Sequence, residues 1–366
     1  MCWPQDDLGP AKVVFLHLID DVDAVVVIDN VALGPAIGGV RMTRRGDLPA
    51  TEVARLARAM TLKNAAAGLP HGGGKSGIAV RTILDANGRD RVMRAFARAI
   101  EDLVDYIPGP DMGTDETAMA VVHDEIGRCV GLPAVLGGIP LDELGATGYG
   151  IAVCAEALED AKVLTLAGAT VIVQGFGAVG GHAARFLRQR GALVIAVSDR
   201  QGATYDPAGL DIDALLDFTR AGNTVGDFPH GAPMPRDDIL KLDCDIMVPA
   251  AQPDVFTAAD ARTTQAKVIL QGANIPATAE AEIEFHRRGI LSVPDIIANA
   301  GGVICASVEY HGGTRTQAFA QIEEKIYANT TELLDRTRDS ELTPREAATA
   351  MATHRVHQAQ SYRRRW

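Results

Sequence analysis

The chain has 366 residues, long enough for two domains with cores of their own. Forty-seven acidic against thirty-five basic residues leave a net charge of −12, which argues against non-specific nucleic-acid binding. No apolar run approaches the ~18 residues that span a membrane, and the first residues carry no signal-like segment. Five scattered cysteines (Cys2, Cys129, Cys154, Cys244, Cys305) read as reduced thiols of a cytoplasmic protein. The histidines show no metal-ligand spacing, so no metal is expected.

Residues 13–17 and 24–29 read as short strands rich in β-branched side chains. After the turn signal Gly34-Pro35, residues 37–42 form another strand, with Gly38 and Gly39 at its start. Residues 51–67 are helical, with Leu56, Met60, Lys63 and Ala67 on one face. A lysine on an apolar stripe costs free energy unless something anionic sits there. Gly72-Gly73-Gly74 precede Lys75 and let backbone approach a ligand closely. Two ammonium groups converging on one small cavity would suit a substrate carboxylate plus a catalytic amine. A P-loop is excluded by spacing, because the required first glycine is Leu69. Residues 76–80 read as a buried strand and 89–104 as an amphipathic helix. Residues 108–114 read as a turn that puts Asp111 just ahead of a helix with Thr114 as N-cap. Turn residues at 136–140 close this first α/β domain.

From Thr147 the pattern changes. A helix over 149–159 is followed by an apolar strand over 170–174. Gly175-Phe176-Gly177-Ala178-Val179-Gly180 follows, then a helix to about residue 190 and a second strand over 192–198, ending at Asp199. Further strands are predicted at 244–248, 267–271 and 291–293, and a polar helical segment from about 322 is broken near Thr343-Pro344. Strands alternating with helices mean a parallel, doubly wound sheet. A G-x-G-x-x-G after a strand and opening a helix, with an acid ending the next strand, is a dinucleotide site. Gly175 makes the turn, Gly177 admits the pyrophosphate to the helix N-terminus, and Gly180 lets helix and strand pack closely. Asp199 would accept from the ribose hydroxyls and repel a 2′-phosphate, favouring NAD; the adjacent Arg200 leaves NADP possible.

Met60-Thr-Leu-Lys63, Gly72-Gly-Gly-Lys75, Gly109-Pro-Asp111-Met-Gly-Thr, Thr147-Gly-Tyr-Gly150, the 175–180 loop, Pro249-Ala-Ala251, Gly272-Ala-Asn274 and Pro294-Asp-Ile-Ile-Ala-Asn299-Ala-Gly-Gly302 occur in the order seen in the Glu/Leu/Phe/Val amino-acid dehydrogenases. The chain resembles that family over about 34–309, and the leucine/phenylalanine branch more than the longer glutamate enzymes. The resemblance implies an N-terminal substrate and oligomerisation domain (1–140, with helices from about 333–366 packing back), a Rossmann-type domain (141–332) and a cleft between them. It implies Lys63 on the substrate α-carboxylate, Lys75 as the catalytic amine and Asp111 as the proton-shuttling acid. Gly38 and Gly39 would line the substrate pocket and Asn274 would lie between nicotinamide and substrate. Thr147 would contact the nicotinamide amide, and Ala250 and Ala251 would form a loop over the cofactor. It also implies a homo-oligomer, dimer-based and up to an octamer.

The glutamate enzymes place a lysine just before the paired glycines; here that position is Ile37. Their hydroxyl after the Asn-Ala-Gly-Gly segment corresponds to Ala306, and Met60 adds an apolar wall. Such a pocket has no partner for a second carboxylate, so an apolar L-amino acid is expected, deaminated to its 2-oxo acid and ammonia. Departures from the branched-chain pattern at residues 130–138, Gln252-Pro253 and His71 keep a glutamate dehydrogenase with an atypical distal site as the alternative. A catalytically silent binding protein would predict loss of a lysine or of Asp111, and all three are present.

Overall fold

The computed structural model describes residues 6–19, 22–44, 49–81, 83–338 and 340–362. Cys2, Arg45 and the Arg363–Arg365 run lie outside them. The chain divides into two units. One holds the described residues to Pro140, with Val303–Ala318 and those from Ala350; the other holds Leu141–Gly302 and Phe319–Thr349. Among the described residues, no helix is long and apolar enough to cross a membrane.

In the first unit β1 (Lys12–His17), β2 (Asp23–Asn30), β3 (Ala36–Thr43), β4 (Gly72–Ala79) and β5 (Tyr106–Pro110) form a sheet of order β1-β2-β4-β3-β5. β3 is parallel to β4 and β5, whereas β2 is antiparallel to β1 and β4. The period-two alternation of β2 sends its side chains two ways. Val26 and Ile28 enter a core with Phe96 of α2 (Ala86–Ala99) and Met119 of α3 (Glu116–Ile126). Val25 and Val27 meet Val53 and Ala57 of α1 (Ala50–Ala66).

Three local expectations change. The glycine run is itself strand, and its glycines meet protein rather than open space. A Cβ on Gly72 would fall 1.7 Å from Asn30 O, on Gly73 2.0 Å from Thr61 N, and on Gly74 2.9 Å from the Tyr106 ring. The segment read as a turn at 108–110 belongs to β5, where Pro108 and Pro110 are tolerated because β5 is an edge strand. The N-cap of α3 is Asp115, which accepts from Ala118 N; Thr114 instead accepts from Asp111 N at 2.9 Å and donates to Val40 O at 2.8 Å.

α1 also turns a different face inward. Its packed stripe is Val53, Ala57, Thr61 and Asn64, and Leu56, Met60 and Lys63 lie half-buried on its flank. Polar residues enter the packed stripe because each has a partner. Thr61 donates to Asp29 at 2.6 Å and the Asn64 amide to Gly72 O at 2.6 Å.

The second unit begins with α4 (Leu141–Leu144) and α5 (Ala146–Asp160). Alternation follows through β6 (Thr170–Gln174), α6 (Ala178–Gln189), β7 (Leu193–Ser198), β8 (Ala203–Tyr205), α7 (Ile212–Arg220), β9 (Ala232–Met234), β10 (Ile246–Pro249), α8 (Ala258–Thr263), β11 (Val268–Leu270), α9 (Ala279–Arg287) and β12 (Leu291–Val293). The sheet order is β12-β11-β10-β6-β7-β8-β9. β12 to β7 are parallel; β8 and β9, short and not predicted, add an antiparallel edge. Strand order reverses at β6, so the glycine loop after it stands at the topological switch point where such sheets bind ligands. The chain ends with α10 (Asp295–Ala298), α11 (Gly301–Tyr310), α12 (Arg315–Thr337) and α13 (Pro344–Ser361).

Candidate active site

The alternation of three adjacent strands builds a charged centre on the sheet face of the first unit that also meets α1. β4 turns Gly73 and Lys75 toward that face, and β3 turns Ile37, Gly39 and Arg41. Asp111 follows β5 directly. Lys75 Nζ lies 2.7 Å from Asp111 Oδ2, and Arg41 Nε reaches the same oxygen at 3.0 Å. Gly39 leaves the room: a Cβ there would stand 2.8 Å from Asp111 Cβ and 3.0 Å from Lys75 Nζ.

Burial pushes the buried Lys75 ammonium below its ordinary value, a shift that Asp111 opposes and Arg41 reinforces. Burial works to raise the Asp111 carboxyl, but Lys75 and Arg41 outweigh it and hold the carboxyl below its ordinary value. An amine whose proton affinity is lowered, 2.7 Å from a carboxylate whose own is lowered too, can serve as base and proton relay.

Lys63 stands half-buried on α1, the helix packed directly on β4, and Arg355 grips the end of that helix by donating to Ala65 O and Ala66 O. Ile37 and Ala306 meet in an apolar cluster with Ile107, Val130 and Tyr310; Met60 is not a member of it. Gly38 does not open toward Lys75. Its Cα packs on the Gly74 carbonyl, and its own carbonyl accepts from the Tyr106 hydroxyl at 2.9 Å.

Sequence reasoning missed Arg41. The signal was there: in a strand opened by Ile37 and Gly39, the residue two further on shares their face. His71, noted only as a departure, is fully buried, with Nε2 3.1 Å from the Ser307 hydroxyl. Burial, against the opposing bond at Pro35 O and with help from His311, lowers it to about 4. The folded value lies below the unfolded one, so the unfolded chain takes up the extra proton as pH falls from 6.5 toward 4. Stability from this group is complete above pH ~6.5 and falls by on the order of 3 kcal/mol by pH ~4. Urea melts across that window should show the slope in the parent chain and a shallower one in His71→Gln.

In the second unit the loop after β6 has the form a dinucleotide phosphate requires. Gly175 has φ +94° and packs against Ala251, so the Pro249-Ala250-Ala251 turn adjoins the glycine loop. Gly177 caps α6 without any side-chain bond, and a Cβ there would meet nothing within 4 Å. The first N–H groups of α6 have no intrahelical acceptor, and Gly177 and Ala178 at that end are exposed, whereas Gly180 is buried. Phe176 is buried, its N–H donating to Ser198 O, and a Cβ on Gly180 would strike Gly175 O at 1.9 Å. Asp199 is more occupied than expected. Oδ1 accepts from Gln201 N and Gly202 N, and Oδ2 from Val225 N at 2.8 Å. A carboxylate offers about four lone-pair positions, so one remains for a ribose hydroxyl.

Thr147 is buried in the first turn of α5, beside Gly302. Asn274 is exposed in the loop after β11, where Asp295 accepts from Ile275 N at 2.9 Å and Asn299 donates to Gly272 O. Arg345 donates to Asp295 at 2.5 Å and to Gln271 at 2.7 Å, fixing the base of that loop.

Known proteins place these two units in one class. Residues 137–364 match the family described as glutamate/leucine/phenylalanine/valine dehydrogenase, and residues 16–128 match its dimerisation domain. A glutamate dehydrogenase of Aeropyrum pernix is 38% identical over 357 residues, covering 91% of this chain and 85% of the relative. A hetero-hexameric glutamate dehydrogenase of Thermus thermophilus, in a leucine-bound form, superposes with TM-score 0.85 at 30% identity, covering 98% of this chain and 91% of that one. An L-tryptophan dehydrogenase of Nostoc punctiforme superposes with TM-score 0.75 at 27% identity, covering 97% and 98%.

The chain is thus an oxidoreductase acting on the CH–NH2 group of amino acids. It belongs to the Glu/Leu/Phe/Val dehydrogenase family, whose members use NAD or NADP.

Proposed function

We propose that the enzyme deaminates an apolar L-amino acid of the leucine, valine, phenylalanine or tryptophan kind. The observation that carries this is the apolar cluster of Ile37 on β3, Ile107 on β5, Val130 on the loop after α3 and Ala306 on α11; β3 pairs with β4, which carries Lys75, and with β5, which Asp111 follows. A distal carboxylate buried against these side chains would lack a partner, at a cost of several kcal/mol. Lys63 keeps its charge and holds the α-carboxylate. Lys75, once neutral, takes a proton from the water that attacks the imine carbon. Asp111 moves protons on the nitrogen side as ammonia forms. When bound, the dinucleotide accepts the substrate hydride; the 175–180 loop, Asp199, Thr147, Ala250, Ala251 and Asn274 would hold it. The carboxylate of Asp199 favours NAD over NADP.

A second reading, glutamate dehydrogenase, is supported by the 38% identity to the Aeropyrum enzyme. Rates on all twenty L-amino acids with NAD and with NADP, followed by absorbance of the reduced cofactor, separate the two. Preferred turnover of an apolar amino acid with NAD is the expected result, and preferred turnover of glutamate overturns it.

We also propose a homo-oligomer built through the first unit, whose edge strand β1 exposes Phe15. The proposed setting is the cytoplasm, where thiols such as Cys154 and Cys244 stay reduced.

A further inference from the structure

Glu309 is a buried carboxylate with no part in the chemistry above, yet it gathers three main-chain donors from one loop. Oε1 accepts from Gly131 N at 2.7 Å and Leu132 N at 3.0 Å, and Oε2 accepts from Ile139 N at 2.9 Å. Only 8% of Glu309 is exposed, so water does not substitute for these bonds.

The two ends of this clamp carry two walls of the apolar cluster. On α11, Glu309 lies one turn after Ala306, so both point to the same side of the helix. On the loop, the first clamped donor follows Val130 directly. Val130 N donates to Pro108 O at 2.9 Å, and a Cβ on Gly109 would stand 2.9 Å from Val130 Cγ2. That methyl covers the strand position two residues before Asp111, on Asp111's own face. The loop also packs closely on β5, since a Cβ on Gly131 would fall 2.4 Å from the Pro110 ring, so it can move only away from that strand. The spacing between Ala306 and Val130 is thereby set by Glu309.

We infer that Glu309 is a positioning residue for substrate selection: it holds Val130 against Ala306 and so fixes the width of the side-chain pocket. This rests on the apolar-pocket reading above. Glu309 touches neither substrate nor cofactor. It acts by keeping three loop amides satisfied, and those amides, once unpaired in the interior, would drive the loop outward to find water.

The test uses Glu309→Gln in the full chain. The amide oxygen can keep two donors, but its NH2 faces the third, so the clamp opens on one side only. The ratio of kcat/KM between the preferred apolar amino acid and alanine should fall about tenfold or more, mainly through KM, with the KM for the dinucleotide unchanged. A ratio that stays within about twofold, or a loss shared equally by both amino acids, overturns the inference. Should that variant not fold, Glu309→Asp, which keeps the charge but draws the loop inward, is read by the same ratio with the same two outcomes. Ala306→Val, which narrows the pocket directly, separates the two levels. If it leaves the ranking of amino acids unchanged, the apolar-pocket reading fails and this inference with it. If it changes the ranking while Glu309→Gln does not, the inference alone fails.

Discussion

Replacing Asp111 by asparagine should lower kcat by about 10²–10⁴-fold, the usual worth of a positioned proton-transfer group. The variant also separates two effects that act in opposite directions. Asp111 raises the proton affinity of Lys75, against the burial and the Arg41 charge that lower it. Removing that anion leaves burial and the Arg41 charge to act on Lys75 without it, so Lys75 should release its proton at lower pH than in the parent. More of the enzyme would then carry a neutral base at neutral pH, and yet the rate should drop, because the relay on the nitrogen side is gone. The pH–rate profile of kcat/KM is the discriminating measurement. In the parent it should rise toward mildly alkaline pH, and in Asp111→Asn the rising limb should move to lower pH while the plateau falls. A plateau near the parent value would remove Asp111 from the chemistry, and an unmoved limb would remove Lys75 as the base. Lys75→Met should cost at least as much, and the double variant little more than either alone, since the two groups work as a unit.

The family and the two-domain α/β fold were legible because the motifs and alternations carrying them are local. The 170–180 stretch has strand, glycine turn and helix within eleven residues, and it folded as read. What was not legible depends on contacts across the chain. Arg41 meets Asp111 seventy positions away, and Glu309 meets its three loop donors 170 to 178 positions away. No periodicity in one sequence reports such pairs. The glycines before Lys75 misled for a related reason. Glycine in a strand signals that something approaches closely, and here that something is helix α1, the Tyr106 ring and the Asn30 carbonyl. The stripe holding Lys63 was displaced because Thr61 and Asn64, polar by type, are buried by bonds to Asp29 and Gly72.

Glutamate is the harder substrate to exclude by sequence, and on the apolar-pocket reading proposed above Ile37 is the position at which it would be admitted. Ile37 is buried at 4% exposure against Ile107, Val130 and Ala306. A glutamate side chain reaching this cluster would place a carboxylate among hydrocarbon, whereas Ile37→Lys would place an ammonium there. Without glutamate that ammonium is itself unpaired, so the variant should melt below the parent. With glutamate bound, each charge supplies the other's missing partner. Ile37→Lys, strengthened by Ala306→Ser to supply a hydroxyl, should therefore raise kcat/KM for glutamate relative to the best apolar amino acid by about 10²–10⁴-fold. Glutamate should also raise the melting temperature of the variant more than that of the parent, because only a ligand bound preferentially by the folded state stabilises it. The two readouts guard against different errors. A rate ratio that moves without thermal stabilisation by glutamate would mean that the lysine acts on turnover rather than by receiving the carboxylate. A parent enzyme that already prefers glutamate would show that a cation outside the apolar cluster receives the second carboxylate, and the apolar reading would give way.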